Sequence, residues 1–328
     1  MQAPTLRDVY EAKKVIAPYL PRTPLHYSAG LSEVLEAQVY LKHDDYLPLG
    51  AFKARGGINL LAHLSPEECS RGVITASTGN HGQSIASACR IFGARALIAL
   101  PEEANPLKVA AMRALGAELV FHGKNFDEAK AYCERLAEEE RYRYVHPANE
   151  PLLIAGVATQ TLEIIEDLPD VEAILVPLGG GSGAAGACIV AKTVDPGIQV
   201  FAVQSDGAPG GYLSWKQGQL AQAPMETFAE GLATETGYEL PQSILRHRLD
   251  DFILVSDDEI RWAIGLLIEK AHTLAEGAGA AATAGALKRR PQLEGKKVVT
   301  VVSGANITLP QLLEAVKVYR VQTNDEGR

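Results

Sequence analysis

The chain has 328 residues, 47% of them apolar and 22% charged, with 31 basic against 40 acidic side chains and a formal net charge of −9. This composition supports a sizeable buried core, arranged as two domains or one large α/β unit. It argues against a nucleic-acid partner, because affinity for a phosphate backbone rests on clustered Lys and Arg and no basic block occurs.

At the N-terminus, Met1-Gln2-Ala3-Pro4-Thr5 has no charged segment leading into an apolar one, so no signal peptide is expected. Val73-Ile74-Thr75-Ala76 predicts a buried strand, followed by a polar turn and an amphipathic helix through Phe92 that Gly93 closes. Ala96 to Leu100 predicts the next strand. Asn105-Pro106 predicts an N-cap with proline at the first helical position. Leu107, Ala111, Ala114 and Leu115 share one face of that helix, Gly116 ends it, and Leu119-Val120-Phe121 begins another strand.

The alternation resumes with a strand at Ala173 to Val176, a helix from Gly183 to about Thr193 and a strand at Val200 to Val203. Pro177 and the glycines from Gly179 to Gly183 make a membrane span at Ala173–Ala191 untenable, and no membrane partner is expected. Ser256 with Glu259 predicts a capping box at the head of the helix carrying Trp262 and Leu266, and Val298 to Val302 predicts the last strand. Strands alternating with helices imply mostly parallel sheets covered on both faces. Cys69, Cys89, Cys133 and Cys188 form no CxxC pair and no cluster with histidines, which points to free thiols in a reducing, cytoplasmic setting.

Three turns sit at carboxyl ends of predicted strands, where ligands bind in such sheets: Ser77 to Gly82, Gly179 to Gly183, and Ser303 to Asn306. Leu178-Gly179-Gly180-Gly181-Ser182-Gly183-Ala184-Ala185-Gly186 lets backbone N–H groups turn inward at a helix N-terminus and suits an anionic phosphate; the bland alternative is a tight turn. The same residues satisfy Gly181-x-Gly183-x-x-Gly186 with Asp206 past the next strand, the pattern of a nicotinamide-binding unit. Its mid-chain position and the earlier start of the glycine run count against that reading. A Walker A loop is excluded because no Gly-Lys-Ser/Thr follows. Pro48 to Gly57 and Ser77-Thr78-Gly79-Asn80-His81-Gly82 are individually compatible with a solvated lysine and a polar turn, and a histidine near a helix start is more often structural than a base.

In this order, from Thr23-Pro24-Leu25 to Asn306, the motifs resemble the fold-type II pyridoxal-phosphate enzymes, specifically the threonine/serine dehydratases and serine racemases. The resemblance implies an α/β fold of the tryptophan synthase β type. That is two domains with open, mostly parallel twisted sheets flanked by helices, and pyridoxal 5'-phosphate in the cleft between them. Residues 1–68 and 150–328 are expected to form the large cofactor-binding domain and 69–149 the small one.

It further implies that Lys53, after Phe52, carries the cofactor as a Schiff base and serves as the base at Cα. Asn80 would meet the ring hydroxyl, Gly179, Gly180, Gly181, Ser182 and Gly183 the phosphate, Ser303 the pyridine nitrogen, and Glu276 the cofactor site. Ser77, Thr78, Gly79, Asn80 and His81 would hold the substrate carboxylate, and Thr78 stands where the racemases have a second acid/base. His146-Pro147 and Ile154-Ala155-Gly156 fit the same pattern. Leu49, Ala51, Ser182, Gly277 and Ala305 depart from it without removing a reactive group.

The implied activity is β-elimination on a small β-hydroxy amino acid, L-threonine or L-serine first. A racemase, or a dehydratase for a substrate such as 3-hydroxyaspartate, is the alternative, and a nicotinamide dehydrogenase or a cofactor-binding protein without turnover is more remote. A homo-oligomer, dimer or higher, is implied as well. The positions matching the cation ligands of relatives are Gln204 and Gly210, which carry no carboxylate, so no metal is expected, although Asp206 is near.

Overall fold

The computed structural model describes residues 1–104, 106–124 and 126–326, without the side chains of 107, 126, 127 and 322–326. The predicted N-cap at Asn105 and the Leu107 face position therefore lie outside the described residues. Ten strands are described in chain order: β1 (Leu25–Tyr27), β2 (Gln38–His43), β3 (Val73–Ala76), β4 (Ala96–Leu100), β5 (Glu118–Phe121), β6 (Arg143–Tyr144), β7 (Ala173–Pro177), β8 (Gln199–Ser205), β9 (Asp251–Val255) and β10 (Lys297–Val302).

Backbone proximity divides the chain into two units, Met1–Pro21 with Lys53–Val157, and Arg22–Phe52 with Ala158–Arg328. These units part at 52/53 and 157/158, beside the domain boundaries expected at 68/69 and 149/150, and residues 1–21 go with the smaller sheet. The physical reason lies in glycine packing. The helix Lys53–Leu61 carries Gly56 and Gly57, and a Cβ at Gly57 would collide with the hydroxyl of Ser84 on the helix Asn80–Phe92. A Cβ at Gly156 would lie 2.7 Å from the Arg55 carbonyl. Backbones that approach this closely commit the lysine-bearing helix to the unit of β3.

The first unit holds a four-stranded sheet ordered β5-β4-β3-β6, every pair parallel. Ile74, Ala76, Leu97 and Ala99 pack against Cys133 and Ala137 of the helix Phe126–Glu139. The second unit holds a six-stranded sheet ordered β1-β2-β10-β7-β8-β9, parallel except for the edge pair β1–β2. Its core runs from Leu31 and Leu35 through Val298 and Val302 to Ala315 and Tyr319. The helix Gly277–Lys288 is almost all glycine and alanine, so it lies close against this sheet: a Cβ at Gly285 would sit 2.7 Å from Val203.

The helix ends follow their local chemistry. Ser256 and Glu259 form the expected capping box, and Gly93 closes its helix at φ 69°. Thr5 with Asp8 and Ser65 with Glu68 form two further capping boxes. The four cysteines are free thiols, Cys69 half-buried and the rest buried. Among the described residues no helix is long and apolar enough to cross a membrane.

Candidate active site

Strand order locates the chemistry within each unit. In the six-stranded sheet β7, β8 and β9 succeed one another in one direction while β10 lies on the other side of β7, so the order reverses between β7 and β10. Ligands bind at the carboxyl ends of strands flanking such a reversal. Those ends carry Leu178 to Gly183 and Ser303 to Asn306. In the four-stranded sheet the reversal falls between β3 and β6, whose carboxyl ends carry Ser77 to Gly82 and the segment with His146.

The glycine turn begins where Leu178 N–H donates to the Val203 carbonyl at 2.7 Å. Gly181 is the N-cap of the helix Ser182–Val194 at φ 92°, with no capping side chain. The first bond into that helix comes from Ala185 N–H to the Gly181 carbonyl at 2.9 Å. Among the described residues the N–H groups of Gly180, Gly181, Gly183 and Ala184 have no acceptor. Donors converging on the positive end of a helix are a cradle for an anion. A Cβ at Gly183 would lie 3.4 Å from the Phe52 ring, so that ring lies beside the turn.

The approach to Lys53 is held by an antiparallel zip. Phe52 N–H donates to the Ser303 carbonyl at 2.9 Å, Ala305 N–H to the Gly50 carbonyl at 2.9 Å, and Asn306 Nδ2 to the Leu49 carbonyl at 2.9 Å. Gly50 sits at φ 62° with Asn306 Oδ1 against it, a place that excludes a side chain. The replacements Leu49, Ala51 and Ala305 leave this backbone pairing intact, since it uses main-chain groups. Ser303 is 5% exposed, and among the described residues its hydroxyl has no hydrogen-bond partner. Glu276 N–H donates to the Gly304 carbonyl at 3.0 Å, and the Glu276 carboxylate packs on Gly304 where a Cβ would otherwise sit.

Lys53 opens its helix, and its carbonyl accepts from Ser84 Oγ at 2.6 Å. The residue is half-buried, and desolvation of the ammonium lowers its pKa from 10.5 to about 8. At pH 7 roughly a tenth of such amines are neutral, against roughly one in three thousand for an ordinary lysine. A neutral amine is the nucleophile that a carbonyl ligand requires. Uptake of the aldehyde cofactor that the resemblance implies is therefore expected to accelerate as pH rises through about 8 and then level off. Stopped-flow absorbance from pH 6 to 10 reads this, and a rate still climbing tenfold per unit above pH 9 would contradict it.

The turn after β3 is built by two side chains. Ser77 Oγ accepts from Gly79 N–H at 3.2 Å and Gly82 N–H at 2.9 Å. Its lone pairs thus shape the turn. Thr75 Oγ1 donates to the Val145 carbonyl at 2.8 Å and lies 3.0 Å from His81 Nε2. With the Thr75 proton committed, the imidazole must donate through Nε2–H. Burial first, then the nearby Lys53 and His146, push the His81 pKa down to about 3. His81 is accordingly a neutral ring tied to the sheet, and the residue's backbone N–H, with that of Thr78, is what lacks an acceptor among the described residues. Of the His81 groups, the backbone N–H is the donor left for a ligand at this turn. Asn80 and Gly79 form the first turn and N-cap of the helix Asn80–Phe92.

Sequence patterns alone had not singled out Thr75, Ser84 or the acceptor role of His146. Its Nδ1 accepts from Ala148 and Asn149 N–H at 3.0 Å each, and burial, then Lys130, lower its pKa to about 4. Gln204 and Gly210, which stand where relatives place cation ligands, meet other groups of the fold: Gln204 bonds to Thr234 and Tyr212, and Gly210 packs on the Glu235 carbonyl. Among the described residues no group of three or more His, Cys, Asp or Glu could hold a metal ion.

Residues 16–304 match the family described as pyridoxal-phosphate dependent enzymes. The chain is 40% identical over 304 residues to the L-threonine ammonia-lyase of Thermotoga maritima, covering 92% of this chain and 76% of that protein. It is 38% identical over 313 residues to the catabolic L-threonine dehydratase TdcB of Staphylococcus aureus, covering 94% and 90%. Among solved structures, maize serine racemase superposes with a TM-score of 0.91 at 29% identity, covering 98% of this chain and 100% of that one. The processed form of threonine deaminase isoform 2 from Solanum lycopersicum superposes with a TM-score of 0.88 at 30% identity, covering 96% and 94%.

Proposed function

The chain belongs to the pyridoxal-phosphate-dependent enzyme family, and from that premise we propose that it dehydrates and deaminates L-threonine, with L-serine as a secondary substrate. The observation that carries this reading is the 40% identity to an L-threonine ammonia-lyase over 92% of the chain. The residues present fit the cofactor. Among the described residues the amides of Gly180, Gly181, Gly183 and Ala184 have no acceptor and the Ser303 hydroxyl has no partner, and burial lowers the pKa of the Lys53 amine to about 8.

Pyridoxal phosphate, when bound, supplies the electron sink that renders the substrate Cα–H acidic. Lys53 would hold the cofactor through its amine, and that amine would serve as the base at the substrate Cα. The turn Gly179, Gly180, Gly181, Ser182 and Gly183 binds the phosphate dianion, and Phe52 lies beside it. Ser303 would offer the ring nitrogen a neutral hydroxyl, a weaker partner than a carboxylate, which suits elimination better than transamination. Asn80 would meet the ring hydroxyl, Glu276 would hold the cofactor, and the Thr78 and His81 amides would orient the substrate carboxylate. Water leaves from Cβ, and hydrolysis of the released enamine yields a 2-oxo acid and ammonia.

The likeness to maize serine racemase raises a second reading, inversion at Cα. Inversion needs a proton donor on the face opposite Lys53, and Thr78 stands at that position. Its β-methyl restricts χ1 and occupies volume through which the hydroxyl must swing. Elimination is expected to exceed inversion by about tenfold or more, since a misplaced proton donor loses rate steeply. Incubating L-threonine, L-serine and 3-hydroxyaspartate separately, and measuring 2-oxo acid and inverted amino acid in the same tube, tests both readings. Threonine should give the most 2-oxo acid; D-serine forming faster than pyruvate would transfer the assignment to the racemase.

The same premise supports a homo-oligomer, dimer or higher, working in the cytoplasm on a small-molecule substrate.

A further inference from the structure

We propose that Gln204 and Thr234 are positioning residues that orient the phosphate-binding turn, an inference that rests on the phosphate reading above. Gln204 lies at the carboxyl half of β8 and is 0% exposed. Its Oε1 accepts from Tyr212 N–H at 3.0 Å, and its Nε2 donates to Thr234 Oγ1 at 3.2 Å. The Thr234 hydroxyl in turn donates to the Gly179 carbonyl, a long bond of 3.4 Å. The chain therefore runs from a backbone N–H, which can only donate, to a backbone C=O, which can only accept. Both ends dictate the orientation of the amide and of the hydroxyl between them.

The two hydrogen bonds decide which way the amide is turned. A Cβ on Gly211 would lie 3.0 Å from Gln204 Oε1 and 3.2 Å from Nε2, so the absence of a side chain there leaves the amide its place. The turn is also backed by the Gly231 carbonyl, which occupies the place of a Cβ at Gly179.

The consequence follows from peptide geometry. In a planar trans peptide the C=O and the following N–H point in opposite directions. Holding the Gly179 carbonyl toward Thr234 therefore aims Gly180 N–H away from Thr234. That N–H is among the turn's donors with no acceptor in the described residues. Gln204 and Thr234 would act by fixing the direction of a donor to the phosphate.

The test compares apo protein binding pyridoxal 5'-phosphate and pyridoxal, two carbonyl ligands that differ in the phosphate alone. Thr234→Val keeps the shape and removes the hydroxyl; Thr234→Ser keeps the hydroxyl. Gln204→Glu keeps the Tyr212 acceptor but accepts the Thr234 proton, freeing Gly179 O. Thr234→Val and Gln204→Glu are expected to weaken pyridoxal phosphate roughly ten- to a hundredfold, as loss of a hydrogen bond to a charged group does. Pyridoxal binding should change less than about twofold, and Thr234→Ser should restore the wild-type ratio. A Thr234→Val that weakens both ligands alike, or that preserves the wild-type preference for the phosphorylated one, overturns this proposal alone. Wild-type protein without that preference overturns the phosphate reading and this proposal with it.

Discussion

Lys53→Ala is expected to release 2-oxo acid from L-threonine at least about a thousandfold more slowly than wild type, within the range lost with a general base and in addition to the lost covalent anchor. Borohydride treatment followed by mass spectrometry should find no cofactor mass on the variant. The fold should survive, because Lys53 contributes a carbonyl to Ser84 that alanine retains. Stability should in fact respond in the opposite direction. The folded apo protein holds this ammonium at a pKa of about 8 against 10.5 unfolded, so folding disfavours the charged form. Where the unfolded chain binds more protons, stability rises with pH. Apo wild type should thus lose a destabilising contribution as pH rises from about 8 to 10.5, and the alanine variant should lack that increment. Thermal melts of both apo proteins at pH 7 and pH 10 read it. Near-wild-type turnover in Lys53→Ala would remove the lysine from the mechanism altogether.

Gly181→Leu is expected to reduce retention of pyridoxal phosphate by about a hundredfold or more, the equivalent of two hydrogen bonds to a charged group. Two separate obstacles meet at this position. Its φ of 92° is one that side chains rarely adopt, at a cost of about 1–2 kcal/mol even for the milder left-handed region. Its Cβ would lie 2.9 Å from Pro241 Cβ, on the helix Glu239–Arg248 that packs behind the turn. Relief of both requires the backbone to rotate, and the N–H groups of Gly181 and Gly183 rotate with it. Gel filtration followed by absorbance separates cofactor loss from unfolding, and circular dichroism checks the latter. If the variant holds pyridoxal phosphate as tightly as wild type, the phosphate binds elsewhere.

Much of the site was legible because its signals are local. A glycine run between an apolar strand and a small-residue helix predicts the turn at Gly179–Gly183 from conformational freedom alone, and the helix Ser182–Val194 begins there. Ser256 with Glu259, and Gly93 after Phe92, ended or began helices through contacts within a few residues of themselves. The strand β2 was less legible. Lys42 is fully buried through Glu163 Oε2 at 2.6 Å and the Thr23 carbonyl at 2.7 Å, partners 121 and 19 residues away. A buried charge looks in sequence like a solvated one, since its partner is chosen by the fold.

The sequence by itself determined the class of fold and the order of the three turns at strand ends, because periodicity and glycine placement are properties of neighbouring residues; Lys53 as the candidate cofactor lysine came from the resemblance of its motif. Tertiary structure alone decided where the lysine-bearing helix belongs, since Gly57 meets Ser84 and Gly156 meets Arg55 only after packing. It also decided that the His81 ring faces Thr75, and that a buried amide at Gln204 reaches Gly179 through Thr234. Those outcomes depend on hydrogen bonds between groups far apart in the chain, whose donors and acceptors acquire a direction only once both are held in the same folded unit.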